Sequence, residues 1–316
     1  MNLNAPPKNR EHTLSTLYGL FSILIWSTTV AFARSLSKEV GYFTAAACTY
    51  LAGGAISLSI VMVKGSFRNI AAHSKKYLFG CGGLFVGYTV CLYLALGLSR
   101  THSQAIEAGL VNYLWPSMII LFSVPILHRK SGWLLIPGVV IAFSGVAAAT
   151  LQKETVSLNA FLSNIRSNWF PYAAAFCAAV LWGLYSNLVR RWGGKSGSSG
   201  VPFFIAATGI VFLVLIFIFP EDSNWSIRAF SECAWMIVFP TVLAYVFWDI
   251  CMRKGNSILV VLLSYFTPLI STFISCMYLK VAPGIWLWIG CVLVICGALI
   301  CNWSIREPSP EVSHTD

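Results

Sequence analysis

Between Ala105 and Ser123 the chain reads AIEAGLVNYLWPSMIILFS, a run apolar enough to cross a bilayer that still carries Glu107, Asn112, Trp115 and Pro116. Counted as a helix, Gln104, Glu107 and Asn112 fall within about 140° of arc around Trp115 at roughly 100° per residue. A polar sector so deep is expensive against lipid and is predicted to face protein or a water-filled hollow. Pro116 lacks a backbone donor and frees a carbonyl near residue 112. Interrupted helices of this kind line substrate sites in membrane carriers. The chemistry on offer is recognition, with an indole wall beside hydrogen-bonding groups and no bond made or broken. Glu107 could gate, hold an ammonium group or anchor the preceding loop, where Arg100 and His102 are candidate partners.

The constellation recurs. A shift of 152 residues puts Tyr93, Tyr113 and Pro116 on Tyr245, Tyr265 and Pro268, so that NYLWP faces SYFTP, and puts Gly138 and Gly145 on Gly290 and Gly297. A shift of 156 puts Trp26 and Arg34 on Trp182 and Arg190. Helical spacing collects Gly19, Ser22, Trp26, Thr29 and Ala33 on one stripe and Ala175, Ala178, Trp182, Tyr185 and Val189 on its counterpart. Such stripes are either tight packing seams or cavity walls whose tryptophans offer flat, polarizable surface to a ring-bearing ligand. The carboxylates break the pattern, since Glu107 falls on Leu259 and Asp249 on Gly97. Asp249 reads either as a charge with a coupling task or as half of an intrahelical pair with Arg253, worth about 0.2–0.5 kcal/mol.

These residues need elements to hold them. With 316 residues, 57% apolar and 10% charged, and a mean hydropathy of +0.75, the chain is an all-α membrane protein. At roughly 20 residues per crossing, ten helices are predicted over 13–33, 41–63, 77–99, 105–127, 132–151, 169–190, 201–219, 231–251, 257–279 and 284–303. The side shared by both termini holds about two thirds of the 21 basic residues, which puts both ends in the cytoplasm. Five is an odd number, so residues 1–151 and 169–316 must enter the bilayer from opposite faces. They form inverted five-helix repeats around a central cavity, joined by a linker over 152–168. The polar tails are expected to be disordered. Two like halves can rock, opening a midplane site to either face in turn.

Other classes are excluded by what the pattern lacks. The ten cysteines lie almost all within apolar runs, with no disulfide framework and no metal spacing. The five histidines fall in loops, span ends or tails, leaving no acid–base constellation, so no catalytic residue, metal or cofactor is expected. The net charge of +10 is a topology signal and not a nucleic-acid footprint. No cleavable signal is expected, and Trp133, Trp169, Trp225, Trp235, Trp286 and Trp303 read as interfacial belts.

The segment GYTVCLYLALGLSRTHSQAIEAGLVNYLWPSMIILF, 87–122, closely resembles aromatic amino-acid exporters of the drug/metabolite transporter superfamily, EamA-type, and LIWST and SYFTP look like the same family. The resemblance spans nearly the whole chain. It implies ten helices in two inverted halves and export of phenylalanine, tyrosine and tryptophan across a bacterial inner membrane, and could extend to other amino acids and cationic aromatics. It favours Trp26, Tyr88, Tyr93, Trp115, Trp182, Tyr185 and Tyr265 as cavity aromatics. The chain departs from the family at Thr89, where relatives tend to have glutamate, and at Asp249, where an uncharged amide is expected; both bear on the substrate's charge preference. The resulting reading is a monomeric inner-membrane secondary transporter. It exports amino acids by alternating access, the ring against Trp26, Trp115 or Trp182 and the polar end near Asn112, with Pro116 and Pro268 breaking the two equivalent helices. The rival reading is uptake or exchange of another metabolite, such as S-adenosylmethionine or a nucleoside-like cation.

Overall fold

The computed structural model describes residues 8–150, 158–194, 199–278 and 285–306. The chain begins as a long helix, α1 (Lys8–Val40), turns at Gly41 with φ 88°, and returns as α2 (Tyr42–Val63). A short α3 (Phe67–Ala71) precedes a π-helical turn, Lys76–Cys81, that runs into α4 (Gly82–Gly97). There follow α5 (His102–Asn112), α6 (Trp115–Leu127), α7 (Leu135–Thr150), α8 (Leu158–Ser167), α9 (Phe170–Trp192) and α10 (Val201–Ile218). A continuous rod is made by α11 (Ile227–Met236), a π stretch Ile237–Ala244 and α12 (Tyr245–Lys254). The chain closes with α13 (Ser257–Ser264), α14 (Thr267–Tyr278) and α15 (Ile285–Ser304). The strand pairing among the described residues is a two-residue ladder, Lys130–Ser131 on Ile305–Arg306.

Among the described residues six helical stretches are long and apolar enough to cross a membrane: Tyr42–Val63, Lys76–Gly97, Glu107–Leu127, Phe170–Trp192, Val201–Ile218 and Ile227–Lys254. The other four predicted crossings fall on α1, on α7, on α13 with α14, and on α15. α7 runs for 16 mostly apolar residues and α15 for 20, and a turn cuts α13 from α14. Ile60, Ile210, Phe217 and Trp288 point outward, as side chains do in lipid.

Two expectations are corrected here. The amino-terminal tail is helical from Lys8 onward, because Glu11 pairs with Lys254 at 2.8 Å and α1 packs on α12. The segment 152–168 is more than a linker: Leu158, Phe161, Leu162 and Ile165 repeat at helical spacing, and α8 forms over them. The remaining tails and residues 152–157 lie outside the described residues.

Helix packing is reciprocal between the two parts of the chain. α1 packs on α12 and α14, while α9 packs on α4 and α6. α2 pairs with α10, and α7 with α15. In the α7/α15 seam a Cβ at Gly145 would stand 2.7 Å from the Val294 nitrogen, and one at Gly297 would collide with the Ala142 backbone. The contact is therefore main chain on main chain.

Two ties join the parts at opposite ends. At one, the Glu221 carboxylate accepts from the backbone nitrogens of Tyr42 (2.7 Å) and Thr44 (2.8 Å), capping α2, and no side chain at Gly41 would fit beside it. Ser223 donates to the Val40 carbonyl at 2.7 Å and Ser226 to the Glu39 carboxylate. At the other, the Tyr77 hydroxyl accepts from the nitrogen of Gly200, which opens α10, at 3.0 Å.

Candidate functional site

The centre of the bundle is an aromatic cluster assembled from both parts of the chain. Trp26 of α1 lies 5.3 Å from Trp248, 5.4 Å from Tyr245 and 5.6 Å from Trp182, ring centre to ring centre. Its indole donates to the Pro240 carbonyl at 3.3 Å, so the π stretch and its proline fix the ring's direction. Trp182 of α9 continues to Tyr88 at 4.6 Å and Tyr185 at 5.0 Å, and Trp115 of α6 meets Trp248 edge-on at 5.5 Å. Tyr93 joins through Tyr50, whose hydroxyl shares a 2.9 Å hydrogen bond with Tyr245. Tyr265 instead shares a 2.7 Å hydrogen bond with Ser117 across the two interrupted helices. The rings rest on one another in this conformation, and beside them a void of about 10 Å³, lined in part by Ser186, Asn187 and Arg190, has room for about one water.

The stripe alternatives divide along a single helix. Gly19 packs tightly on Cys251 and Val260, a seam, whereas Trp26, two turns on, enters the cluster. Trp248, Tyr245, Tyr50 and Phe85 also belong to the cluster and were not among the sequence candidates. A signal existed for two of them: Tyr245 is the repeat partner of Tyr93, and Trp248 follows it by one turn on the same face.

The helix breaks fall in one register. α5 ends at Asn112 and α6 starts at Trp115; α13 ends at Ser264 and α14 starts at Thr267, each limit 152 residues on. Pro116 and Pro268 stand second in the new helix, where no N–H donor is needed, and the interruption itself is the turn just before each. Trp115 (6% exposed) and Asn112 (8%) are enclosed by protein. Among the described residues, the Oδ1 of Asn112, the hydroxyl of Tyr185 and the hydroxyl of Thr267 are buried without a partner. Each such group costs about 1–3 kcal/mol. Unpaired polar atoms retained beside a helix break and an aromatic cluster are what a site for a polar ligand requires.

The two carboxylates settle into different surroundings. Glu107, fully buried, accepts from Asn164 at 2.9 Å and from the Tyr172 hydroxyl, tying α5 to α8 and α9. These contacts reach α8 and α9, whereas the sequence suggests gating, ammonium binding, charge coupling or an anchor for the preceding loop. Arg100 donates to the Ser167 carbonyl at 3.5 Å, and the His102 side chain lies outside the described residues. Asp249 does pair with Arg253, at 2.7 Å, but the pair is interior, with Asp249 fully buried and Arg253 4% exposed. The small surface value is therefore the wrong scale: removing one partner of a buried pair costs about 3–5 kcal/mol. Tyr77 donates to the second Asp249 oxygen at 3.1 Å. No group of three or more metal-ligating side chains occurs among the described residues.

An all-α, membrane-embedded bundle around an aromatic centre, with orphaned polar atoms at paired helix breaks, defines a multi-pass carrier. The chain belongs to the EamA-like transporter family, which matches residues 13–151 and again 169–303, a family of transporters and not of enzymes. It is 32% identical to the aromatic amino acid exporter YddG of Escherichia coli (strain K12), over 93% of this chain and 98% of that one. To the exporter of the same name from Ancylobacter novellus it is again 32% identical, over the same shares. A crystal structure of a protein 28% identical superposes with a TM-score of 0.75, covering 92% of this chain and 97% of the other.

Proposed function

We propose that this chain exports aromatic and other amino acids across a bacterial inner membrane by alternating access, as a ten-helix monomer whose halves, 1–151 and 169–316, are inverted five-helix repeats with both termini cytoplasmic. The reciprocal packing of α1 and α9, the contacts exchanged between Gly145–Val294 and Gly297–Ala142, and the shared register of the helix breaks support the inverted pair. The names of the relatives support amino acids as cargo. The observation that carries the site is the orphaned Oδ1 of Asn112 three residues before Trp115. An acceptor with no donor suits an ammonium group, and the adjoining rings suit an aromatic side chain at about 0.5–1.5 kcal/mol per contact. Trp26, Trp115 and Trp182 supply the ring surface, with Tyr88, Tyr93, Tyr185 and Tyr265 around them. Rocking of the halves separates the rings and admits substrate from one face at a time.

Flux of radiolabelled phenylalanine in proteoliposomes, with and without a pH gradient, tests this. Trp115→Ala is expected to raise the half-saturating concentration about tenfold, and unaltered transport would remove Trp115 from the site. Glu107→Gln, which keeps the anchor's shape, is expected to leave the response to the gradient unchanged.

A further inference from the structure

Arg253 is the most unusual polar group in the molecule. Asp249 engages its Nε at 2.9 Å and its Nη2 at 2.7 Å, yet its Nη1 is buried without a partner. A guanidinium held only for structure has its donors satisfied, since each buried orphan works against the fold. The side chain also has reserved space: a Cβ at Gly193 would stand 2.6 Å from the Arg253 Cδ. The second orphan is the Tyr185 hydroxyl, whose ring touches Trp182 and Phe85 in the aromatic cluster and also Phe204, which in turn meets Tyr77, the donor to Asp249. Two unpaired donors, one cationic, therefore flank the cluster on the side of Tyr77 and Gly200.

We propose that Arg253 and Tyr185 form a carboxylate-recognition subsite, in which the free Nη1 edge and the tyrosine hydroxyl both donate to the α-carboxylate of an aromatic amino acid whose ring lies in the cluster. This rests on the transport reading above and deepens it, adding a carboxylate contact that Asn112, an acceptor, cannot make. Asp249 has a definite part. An empty site holding a bare guanidinium would be a standing charge in a low-dielectric interior, and Asp249 neutralises it. Because the attraction left for an arriving carboxylate is then that of a paired cation, the substrate can also leave. Guanidinium donors suit the planar carboxylate, so ligands with the same ring and no carboxylate should bind poorly.

The test is inhibition of phenylalanine flux in proteoliposomes by 3-phenylpropionate, which has the carboxylate and no ammonium, and by 2-phenylethylamine, which has the reverse. Two variants avoid stranding a buried charge: Tyr185→Phe removes one oxygen, and the double variant Asp249→Asn/Arg253→Gln replaces the ion pair by amides. Each is expected to raise the half-inhibitory concentration of 3-phenylpropionate about tenfold while moving that of 2-phenylethylamine by less than about twofold. Equal losses for both compounds would mark a structural role and overturn the proposal, as would unchanged inhibition by 3-phenylpropionate in Tyr185→Phe. A wild type that carries no phenylalanine would instead overturn the transport reading, and this one with it.

Discussion

The ties at the two ends of the bundle do the same job with opposite chemistry. In one, Glu221 from the connection after α10 caps α2; in the other, Tyr77 from the π-helical turn before α4 caps α10. The Glu221 cap is ionic, only partly buried and aimed at bare backbone nitrogens. The Tyr77 cap is a neutral hydroxyl backed by the interior Asp249–Arg253 pair. A charge-assisted bond near water is weakened by salt and easily re-solvated, whereas an interior pair is screened much less. The two ties therefore differ in how readily they part.

The sharpest way to break this comparison is Arg253→Gln, which strands Asp249. A loss of about 3–5 kcal/mol is expected, read as a large fall in thermal midpoint in detergent; a small fall would mean that the interior tie is no stronger than the exposed one. Glu221→Gln should cost less, about 0.5–2 kcal/mol for a weakened helix cap. Its difference from wild type should shrink as salt rises, while that of Arg253→Gln should not. The smallest effect belongs to Glu11, whose carboxyl is held below the usual glutamate value by its hydrogen bond and charge interaction with Lys254. A folded value below the unfolded one gives stability that is present above the ordinary glutamate range and lost as pH falls through the folded value. Lys254→Met should return the Glu11 titration, followed by NMR, to the ordinary range without a measurable change in thermal midpoint.

What could be read from the sequence is what repeats. Trp26 and Trp182, and the breaks at Pro116 and Pro268, announced themselves because the same types recur at offsets of 156 and 152, and they meet at the centre or at matching helix limits. Residues without a counterpart were harder. Glu107 could not be matched with Asn164 and Tyr172 because its partners lie 57 and 65 residues away, one in a segment whose polarity reads as a connection and the other in a separate crossing. Asp249 was visible beside Arg253, but spacing along a helix carries no information on depth, and depth decides whether such a pair is trivial or costly. Trp248 carries no mark of its role in the sequence beyond standing one turn after Tyr245, and only the packing of α1 brings Trp26 against it. Among the described residues six helical stretches meet the length and apolarity of a crossing by themselves, and a turn divides a further one between α13 and α14.

The glycine seam between α7 and α15 has a mechanical meaning. With Gly145 and Gly297 lying against the backbone of Val294 and Ala142, only small or short groups, such as the Ala142 methyl, come between these helices there. In the proposed alternating-access cycle this seam would serve as an axle rather than a door, and even a methyl group added at Gly145 or Gly297 would force the two helices apart.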